Sequence, residues 1–319
     1  MWIRSPAWDG FWLLSGVPLA LGLWATSPPP ITTFLFILAF RVGHLAAPVA
    51  CAWDHEGFRR LMLRRKVVFI AIPAALFLIA AAISLSGTFD LRHDDDLYFH
   101  WSQLRVPAIA TAVVYIAWNQ WHLAMQNFGV LRLYAARSPS GPASRTIDKA
   151  VCFGAIGYWT LGAVTHMDFV PIPNQLLFAY ISCAVGGVLL TALLWGERSW
   201  PRIIFLVGVI TPAVLANFSF LYAFAAILVS HWLVAIGLAA NVDGNHHARS
   251  PLWFAGSVMI FGAIVVLLRR HFEVILAMNL GLSFVHYWYD RRLWKLSDPQ
   301  VRATIGRDLF GSPRLRLVA

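Results

Sequence analysis

The chain of 319 residues is 59% hydrophobic and only 13% charged, about half the charged fraction of a typical soluble domain. So few charges exclude a water-soluble globular protein of this size. The net charge of +10 comes from basic clusters between apolar runs, such as the stretch from Arg59 to Lys66. Such clusters are typical of cytoplasmic loops in membrane proteins, so we expect no nucleic-acid binding.

The apolar runs predict an all-α fold, a polytopic transmembrane helix bundle of about ten spans, with eight as the lower bound. Runs of about 17–25 apolar residues are long enough to cross a bilayer as helices. Helices also satisfy their own backbone hydrogen bonds, as a lipid environment requires. In chain order the candidate spans are 10–26, 31–53, 66–86, 104–131, 150–166, 176–195, 202–216, 219–240, 252–268 and 273–290.

The seventh and eighth candidate spans come from one apolar run, Ile203 to Ala240, which is too long for a single crossing. Thr211-Pro212 and Asn217 are candidates for the turn between them, because proline interrupts helical hydrogen bonding. The first arm is short, so a re-entrant helix is an alternative.

Loop charge predicts the orientation of the chain in the membrane. Basic loops are expected in the cytoplasm, and the acidic loop from His93 to Asp96 is expected outside. With an even number of spans, both termini are cytoplasmic. Residues 1–290 then form a transmembrane helical domain, and 291–319 form a basic interfacial tail on the inner leaflet.

Four predicted spans carry a histidine in the half of the membrane that faces the cytoplasm. His44, His122 and His231 each lie about ten residues before the cytoplasmic end of a span, which is roughly 15 Å below the surface. His286 is about half as deep. Ionisable side chains inside a span are costly, so these histidines are functional candidates.

Two of these histidines have a polar neighbour one helical turn away. Gln126 follows His122 by four residues, so the two share a helix face. Asp290 follows His286 by the same spacing. A carboxylate in this position can orient an imidazole or join it as a metal ligand.

Further histidines lie at the cytoplasmic ends of two spans. His55 follows His44 by eleven residues, close to three helical turns, so the two share a face if the helix continues. Asp243 precedes the pair His246-His247 in a DxxHH patch at the inner end of the eighth span.

These residue types predict one or two bound metal ions. Imidazole suits iron, copper and zinc, and added carboxylates extend the range to manganese and favour non-haem iron. Iron is therefore the first expectation, with zinc, copper or manganese as alternatives. The candidate ligands are His44, His55, His122, His231, His246, His247, His286 and Asp290. Gln126 and Asp243 are candidates for residues that hydrogen-bond to the ligands.

Simpler roles compete with metal binding at each position. A buried histidine can form a hydrogen bond between helices, as can Gln126, and the histidines at span ends can be ordinary loop residues. Asp54 and Glu56 lie close to arginines and are candidates for ion pairs. A solvated position on the outer side is expected for His93, His100, His166 and His271.

Three motifs distributed along the chain show a resemblance. They are Val42-Gly43-His44; Trp121-His122 with Gln126, Gly129 and Tyr134; and His286-Tyr287-Trp288-Tyr289-Asp290 with Leu293-Trp294-Lys295, Asp298-Pro299 and Val301-Arg302. These motifs resemble a widespread family of poorly characterised bacterial polytopic membrane proteins. The resemblance implies a multi-pass protein of the bacterial inner (cytoplasmic) membrane, without implying a specific activity.

A looser similarity is to histidine-rich membrane oxygenases. The run Asp243-Gly244-Asn245-His246-His247 is similar to the third histidine box of membrane desaturases and hydroxylases, with Asp where they have His. Their HxxxH boxes are missing from this chain. The bacterial carotene-cleaving dioxygenases also distribute metal-binding histidines over several spans. Both similarities imply a metal centre held by histidines.

Three hypotheses for the function remain open at this point. The first is a membrane-embedded metalloenzyme, a non-haem iron oxygenase, desaturase or hydroxylase acting on a lipid or isoprenoid. Its partners would be membrane lipids, a hydrophobic small-molecule substrate and an electron-donor protein. The second is a haem- or chlorophyll-binding subunit of a membrane complex, and the third is a proton-coupled transporter.

Overall fold

The computed structural model describes residues 2–26, 30–85, 106–137, 144–166, 180–181, 183–188, 199–216, 220–267 and 272–310. Every regular element among these residues is helical, which confirms the predicted all-α fold. The chain divides into two compact units. The first unit comprises Met1–Phe34, Gln120–Asn241 and Arg307–Ala319, and the second comprises Leu35–Asn119 and Val242–Gly306.

Twelve α-helices and one π-helical turn make up the regular structure of the described residues. In chain order the helices are α1 (Pro6–Trp12), α2 (Gly16–Thr26), α3 (Pro30–Asp54), α4 (Glu56–Arg64), α5 (Ile72–Leu85), α6 (Val106–Arg137), α7 (Ser144–His166), α8 (Trp200–Leu215), α9 (Phe220–His246), α10 (Pro251–Leu267), α11 (Phe272–Leu293) and α12 (Pro299–Phe310). The π-helical turn, Val67–Ala71, leads directly into α5.

These helices follow the predicted spans with some differences. The candidate span 10–26 is divided between α1 and α2. Thr211-Pro212 lies inside α8 and makes no turn, because a proline removes only one intrahelical donor. The break falls between α8 and α9, and Asn217 lies outside the described residues, as do most of 176–195 and the acidic loop.

One helix in the described part of the chain is, by itself, long and apolar enough to cross a membrane. It is Ala223–His246, with 24 residues and a mean hydropathy of 2.1. The pair Glu56–Arg64 and Val67–Ile83 passes the same test together, but the two are bent by 103° at their junction. By length alone, α3 and α6 also reach the roughly 20 residues that a span needs, with 25 and 32 residues.

In the first unit, two glycines allow close approach to α9. A Cβ atom added to Gly16 would lie 2.2 Å from the Oγ of Ser230, and one added to Gly237 would lie 2.4 Å from the Cβ of Trp12. A larger side chain at either position would therefore push α1 or α2 away from α9.

An apolar cluster in the same unit positions two of the predicted site residues. Leu123 of α6 and Ile156 of α7 pack with Ile227 of α9. His122 neighbours the first of these residues, and His231 lies one helical turn after the last. The packing of α6 and α9 therefore determines where both imidazoles lie.

In the second unit, α11 packs along α5 and the π-helical turn. The indole N–H of Trp288 donates to the carbonyl of Val68 at 2.7 Å, and the hydroxyl of Tyr289 donates to the carbonyl of Phe69 at 2.6 Å. π-Helical turns expose backbone groups in this way and are frequent at functional sites. These two bonds fix α11 immediately after His286.

The described part of the predicted tail forms a helix with one buried face. Asp298 begins it by accepting a hydrogen bond from the N–H of Gln300 at 2.9 Å. Val301, Ile305 and Leu309, spaced four residues apart, are all buried. This part of the tail is therefore packed against the protein along one side.

Candidate metal-binding histidines

His44 of α3 and His286 of α11 face each other in the second unit. Their ring centroids are 4.7 Å apart and the rings are inclined at 67°. Each offers a ring nitrogen, and these two atoms lie within 4.8 Å of each other. The side chains are only 3% and 0% exposed, so the pair is shielded from solvent.

Asp290 provides a carboxylate beside His286. It lies one turn after His286 on α11, and one of its oxygens is within 4.8 Å of a ring nitrogen of His286. Asp290 is buried, and its Oδ1 accepts a hydrogen bond from the indole N–H of Trp294 at 2.5 Å. The predicted pairing of the histidine with this aspartate is therefore present in the structure.

Backbone carbonyls orient both imidazoles of the second unit. The Nδ1 atom of His44 lies 2.6 Å from the carbonyl oxygen of Arg41. Because a carbonyl can only accept, Nδ1 carries the hydrogen and Nε2 carries the lone pair that a metal needs. His286 forms a backbone hydrogen bond with Leu45. Proteins commonly orient metal-binding histidines with such bonds.

His122 of α6 and His231 of α9 form a second buried pair, in the first unit. Their ring centroids are 4.9 Å apart and the rings are perpendicular. The amide of Gln126 donates to the backbone carbonyl of His231 at 3.3 Å. Gln126 therefore contacts the main chain of a candidate ligand, where the sequence predicted a contact with its side chain.

His55 has a structural role in the second unit. Helix α3 ends at Asp54, so His55 is not on a continuous helix with His44. It is the N-cap of α4, because its Nδ1 accepts a hydrogen bond from the N–H of Phe58 at 3.3 Å. Its ring also stacks on His246, with the centroids 3.9 Å apart.

An ion-pair network surrounds His247. Ligand atoms of Asp54, Asp243 and His247 lie within 4.8 Å of one another. Arg249 donates to Asp243 at 2.7 and 3.0 Å and to Asp54 at 2.7 Å. One guanidinium thus bridges the two carboxylates. Asp54 pairs with this distant arginine, whereas Glu56 pairs with Arg60, as expected.

Arg41 is a half-buried charged residue that was not among the predicted site residues. One turn before the histidine of α3, it donates to the Oδ1 of Asn279 at 2.9 Å and to the hydroxyl of Tyr115 at 2.7 Å. Nearby, the hydroxyl of Tyr287 donates to Asn119 at 2.7 Å. Its position in the sequence could have identified it, because an arginine inside a candidate span is as unusual as a histidine.

Comparisons with protein-family models, with curated protein sequences and with solved structures give no match. What the structure contains is a set of buried histidine and aspartate side chains within metal-binding distance of one another. Of the histidines predicted on the outer side, His93, His100 and His271 and the side chain of His166 lie outside the described residues.

Proposed function

We propose that this chain is a membrane-embedded non-haem iron oxygenase that acts on a lipid or isoprenoid. The single observation that carries the proposal is that ligand atoms of His44 and Asp290 both lie within reach of His286 in a buried part of one unit. Two histidines and one carboxylate with open positions form the ligand set typical of non-haem Fe(II) oxygenases.

Two pairs of side chains support the proposal, His44 with His286 and His286 with Asp290, and within each pair the ligand atoms lie within 4.8 Å of each other. Metal–nitrogen and metal–oxygen bonds are about 2.0–2.2 Å, so two ligand atoms of one ion are roughly 3–4.4 Å apart. Each pair is close to this spacing, and binding of one ion by all three residues would require their side chains to rotate towards a common point. The carbonyl of Arg41 holds His44 in the tautomer that presents Nε2, and Trp294 holds one oxygen of Asp290.

The protein's own contribution to the chemistry is orientation and the exclusion of water. Iron bound here would supply the activation of O2. One oxygen atom would enter a C–H bond of the substrate. The other would leave as water, with two electrons from a donor protein and two protons. The low exposure of His44, His286 and Asp290 keeps solvent from the reacting centre.

The geometry of the two histidine pairs favours a non-haem ion over a haem held between the two imidazoles of a pair. Two axial imidazoles on opposite faces of a macrocycle place their ring centroids roughly 6 Å apart, given metal–nitrogen bonds of about 2.0 Å. The two observed pairs are closer, at 4.7 and 4.9 Å.

We propose His122 and His231 as a second pair of nitrogen ligands, which belongs to the first unit.

The proposed setting is the bacterial inner membrane, with about ten spans and both termini in the cytoplasm. The composition and the apolar helix Ala223–His246 support this setting. So do large apolar side chains that face outwards. On α10, for example, Leu252, Trp253 and Ile260 are 62%, 73% and 63% exposed, which suits contact with lipid tails.

Elemental analysis of the purified full-length protein tests this proposal. We expect near-stoichiometric iron in the wild type and its loss in His44→Ala and His286→Ala. His247→Ala is the matched control, because that imidazole belongs to an ion-pair network, and it should retain the iron. An optical spectrum of the same samples should lack intense pigment bands. Absence of iron, copper, manganese and zinc from the well-folded wild type would refute the proposal.

A further inference from the structure

Helix α4 of the second unit has one apolar face and one basic face. Its buried residues are all apolar, namely Phe58, Leu61 and Met62. Arg59, Arg60 and Arg64 are exposed, and Leu63, which is 46% exposed, lies among them. Because residues three or four apart share one side of a helix, these four side chains form the face opposite the buried one. A helix with this pattern suits the boundary between a membrane and water.

The segment that contains α4 has more positive charge than the nearby carboxylates can balance. Residues 56–66 contain five basic residues and one acidic residue, Glu56, which pairs with Arg60 at 2.5 Å. A second carboxylate, that of Asp298, lies 3.6 Å from Arg65. When each carboxylate balances one arginine, three of the five positive charges remain. These three charges belong to exposed side chains, those of Arg59, Arg64 and Lys66.

The helix that follows α4 turns sharply away from it. Val67–Ile83 is inclined at 103° to Glu56–Arg64. On this following helix Val67, Leu78 and Ile79 are 67%, 65% and 59% exposed, which suits contact with lipid tails. In the proposed membrane setting this helix enters the bilayer, so α4, which is nearly perpendicular to it, lies along the membrane surface.

Aromatic side chains lie close to both ends of α4. Trp53 precedes α4 and is 39% exposed, and its indole N–H donates to the hydroxyl of Tyr289. Trp288 donates to the carbonyl of Val68, which follows the basic segment by two residues. Tryptophan and tyrosine are enriched where a membrane meets water. The three rings therefore indicate that both ends of α4 lie in the head-group layer.

Arg292 extends the basic surface onto α11. Its guanidinium carbon is 4.1 Å from the ring centroid of Trp288. The positive charges of Arg291 and Arg65 both repel its guanidinium, and no carboxylate among the described residues offsets this repulsion. An anion bound beside Arg65 and Arg292 would relieve it.

We propose that this basic surface, formed by Arg59, Arg64, Lys66 and Arg292, binds the head groups of anionic phospholipids at the inner face of the membrane. Basic residues at a membrane surface are attracted to negatively charged lipids. The exposed Leu63 among the arginines favours a lipid surface over a nucleic acid, which would use only the charges. This lipid site depends on the proposed membrane setting, and it includes none of the proposed iron ligands.

The test measures binding of two lipids to the purified full-length protein in detergent, by native mass spectrometry. Dioctanoyl phosphatidylglycerol and dioctanoyl phosphatidylcholine have the same chains and differ in head-group charge. We expect the first to bind roughly tenfold more tightly or better, and the difference to shrink as the salt concentration rises. Equal binding of the two lipids would overturn the proposal. So would displacement of phosphatidylglycerol by an equal concentration of inorganic phosphate.

A double variant tests the residues of the basic surface. Arg64→Gln combined with Lys66→Gln should keep the fold, because both side chains are exposed. It should weaken phosphatidylglycerol binding roughly 5–25-fold, since each basic residue near a charged lipid surface contributes about 1 kcal/mol, or about fivefold.

Arg145→Gln combined with Lys149→Gln is the matched control. It also removes one arginine and one lysine from exposed positions, but in the first unit, and it should bind phosphatidylglycerol nearly as tightly as the wild type. Equal losses in the two double variants would show that net charge alone attracts the lipid and would overturn the proposal. Unchanged binding in the variant of the basic surface would do the same.

A fluorescent label tests where α4 lies. Leu63→Cys carries an environment-sensitive dye in a Cys183→Ser background, because Cys183 is exposed whereas Cys51 and Cys152 are buried. In vesicles of phosphatidylglycerol and phosphatidylcholine, a lipid with a nitroxide on its head group should quench the dye more strongly than a water-soluble nitroxide does. The reverse order would place α4 in water and overturn the proposal. A protein that stays soluble without detergent would instead contradict the membrane setting itself.

Discussion

Trp294→Phe should weaken iron binding without removing any ligand. The indole N–H of Trp294 is 2.5 Å from the Oδ1 of Asp290, and the substitution deletes this donor while keeping an aromatic ring. Residues that orient metal ligands typically contribute about 10–100-fold to metal affinity. This corresponds to about 1.4–2.7 kcal/mol of binding free energy.

The assay is a competition titration of metal-free protein with Fe(II) and a chelator of known affinity. Trp288→Phe is the control, because it also deletes an indole donor from the same region, but that donor contacts the carbonyl of Val68. It should lower stability and change the iron affinity much less than Trp294→Phe does. If Trp294→Phe binds iron as tightly as the wild type, or if both variants lose affinity equally, Asp290 is not oriented as proposed.

Three further outcomes are expected. Asp298→Ala should cost about 1 kcal/mol of unfolding free energy at neutral pH, since it removes a helix cap. The N–H of Gln300 holds the pKa of Asp298 below its ordinary value of 3.8, so the difference from the wild type should be full above about pH 4 and fade on further acidification. A pH-independent difference would contradict this. Arg249→Gln should lower the unfolding free energy by about 1–3 kcal/mol in chemical denaturation, because it leaves Asp243 buried without its partner, and the iron content should stay unchanged. Removing iron with a chelator should lower the thermal midpoint reversibly. Adding iron at one hundred times its Kd should restore about 2.7 kcal/mol of unfolding free energy. A thermal midpoint that does not change on iron removal would argue against a buried iron site.

The parts of the site that depend on one helix could be predicted from the sequence. The proximity of His286 and Asp290 follows from their spacing of four residues, and the structure confirms it. The burial of His44, His122 and His231 follows from their position within long apolar runs, and all three are buried.

The parts that depend on packing between helices could not be predicted. Which histidine faces which is set by the rotation of each helix, and that rotation depends on contacts such as those of Gly16 and Gly237 with their neighbours. The capping role of His55 was missed because the sequence does not show that α3 ends one residue earlier. The pairing of Asp54 with Arg249 was missed because the two are far apart in the chain.

Iron K-edge X-ray absorption of the purified wild type, compared with His286→Ala, tests the central claim most directly. We expect a shell of nitrogen and oxygen ligands at about 2.0–2.2 Å that includes imidazole, and one fewer imidazole per iron, or loss of the iron, in the variant. A macrocycle pattern, a sulfur shell or a spectrum that the variant leaves unchanged would contradict iron binding by His44, His286 and Asp290.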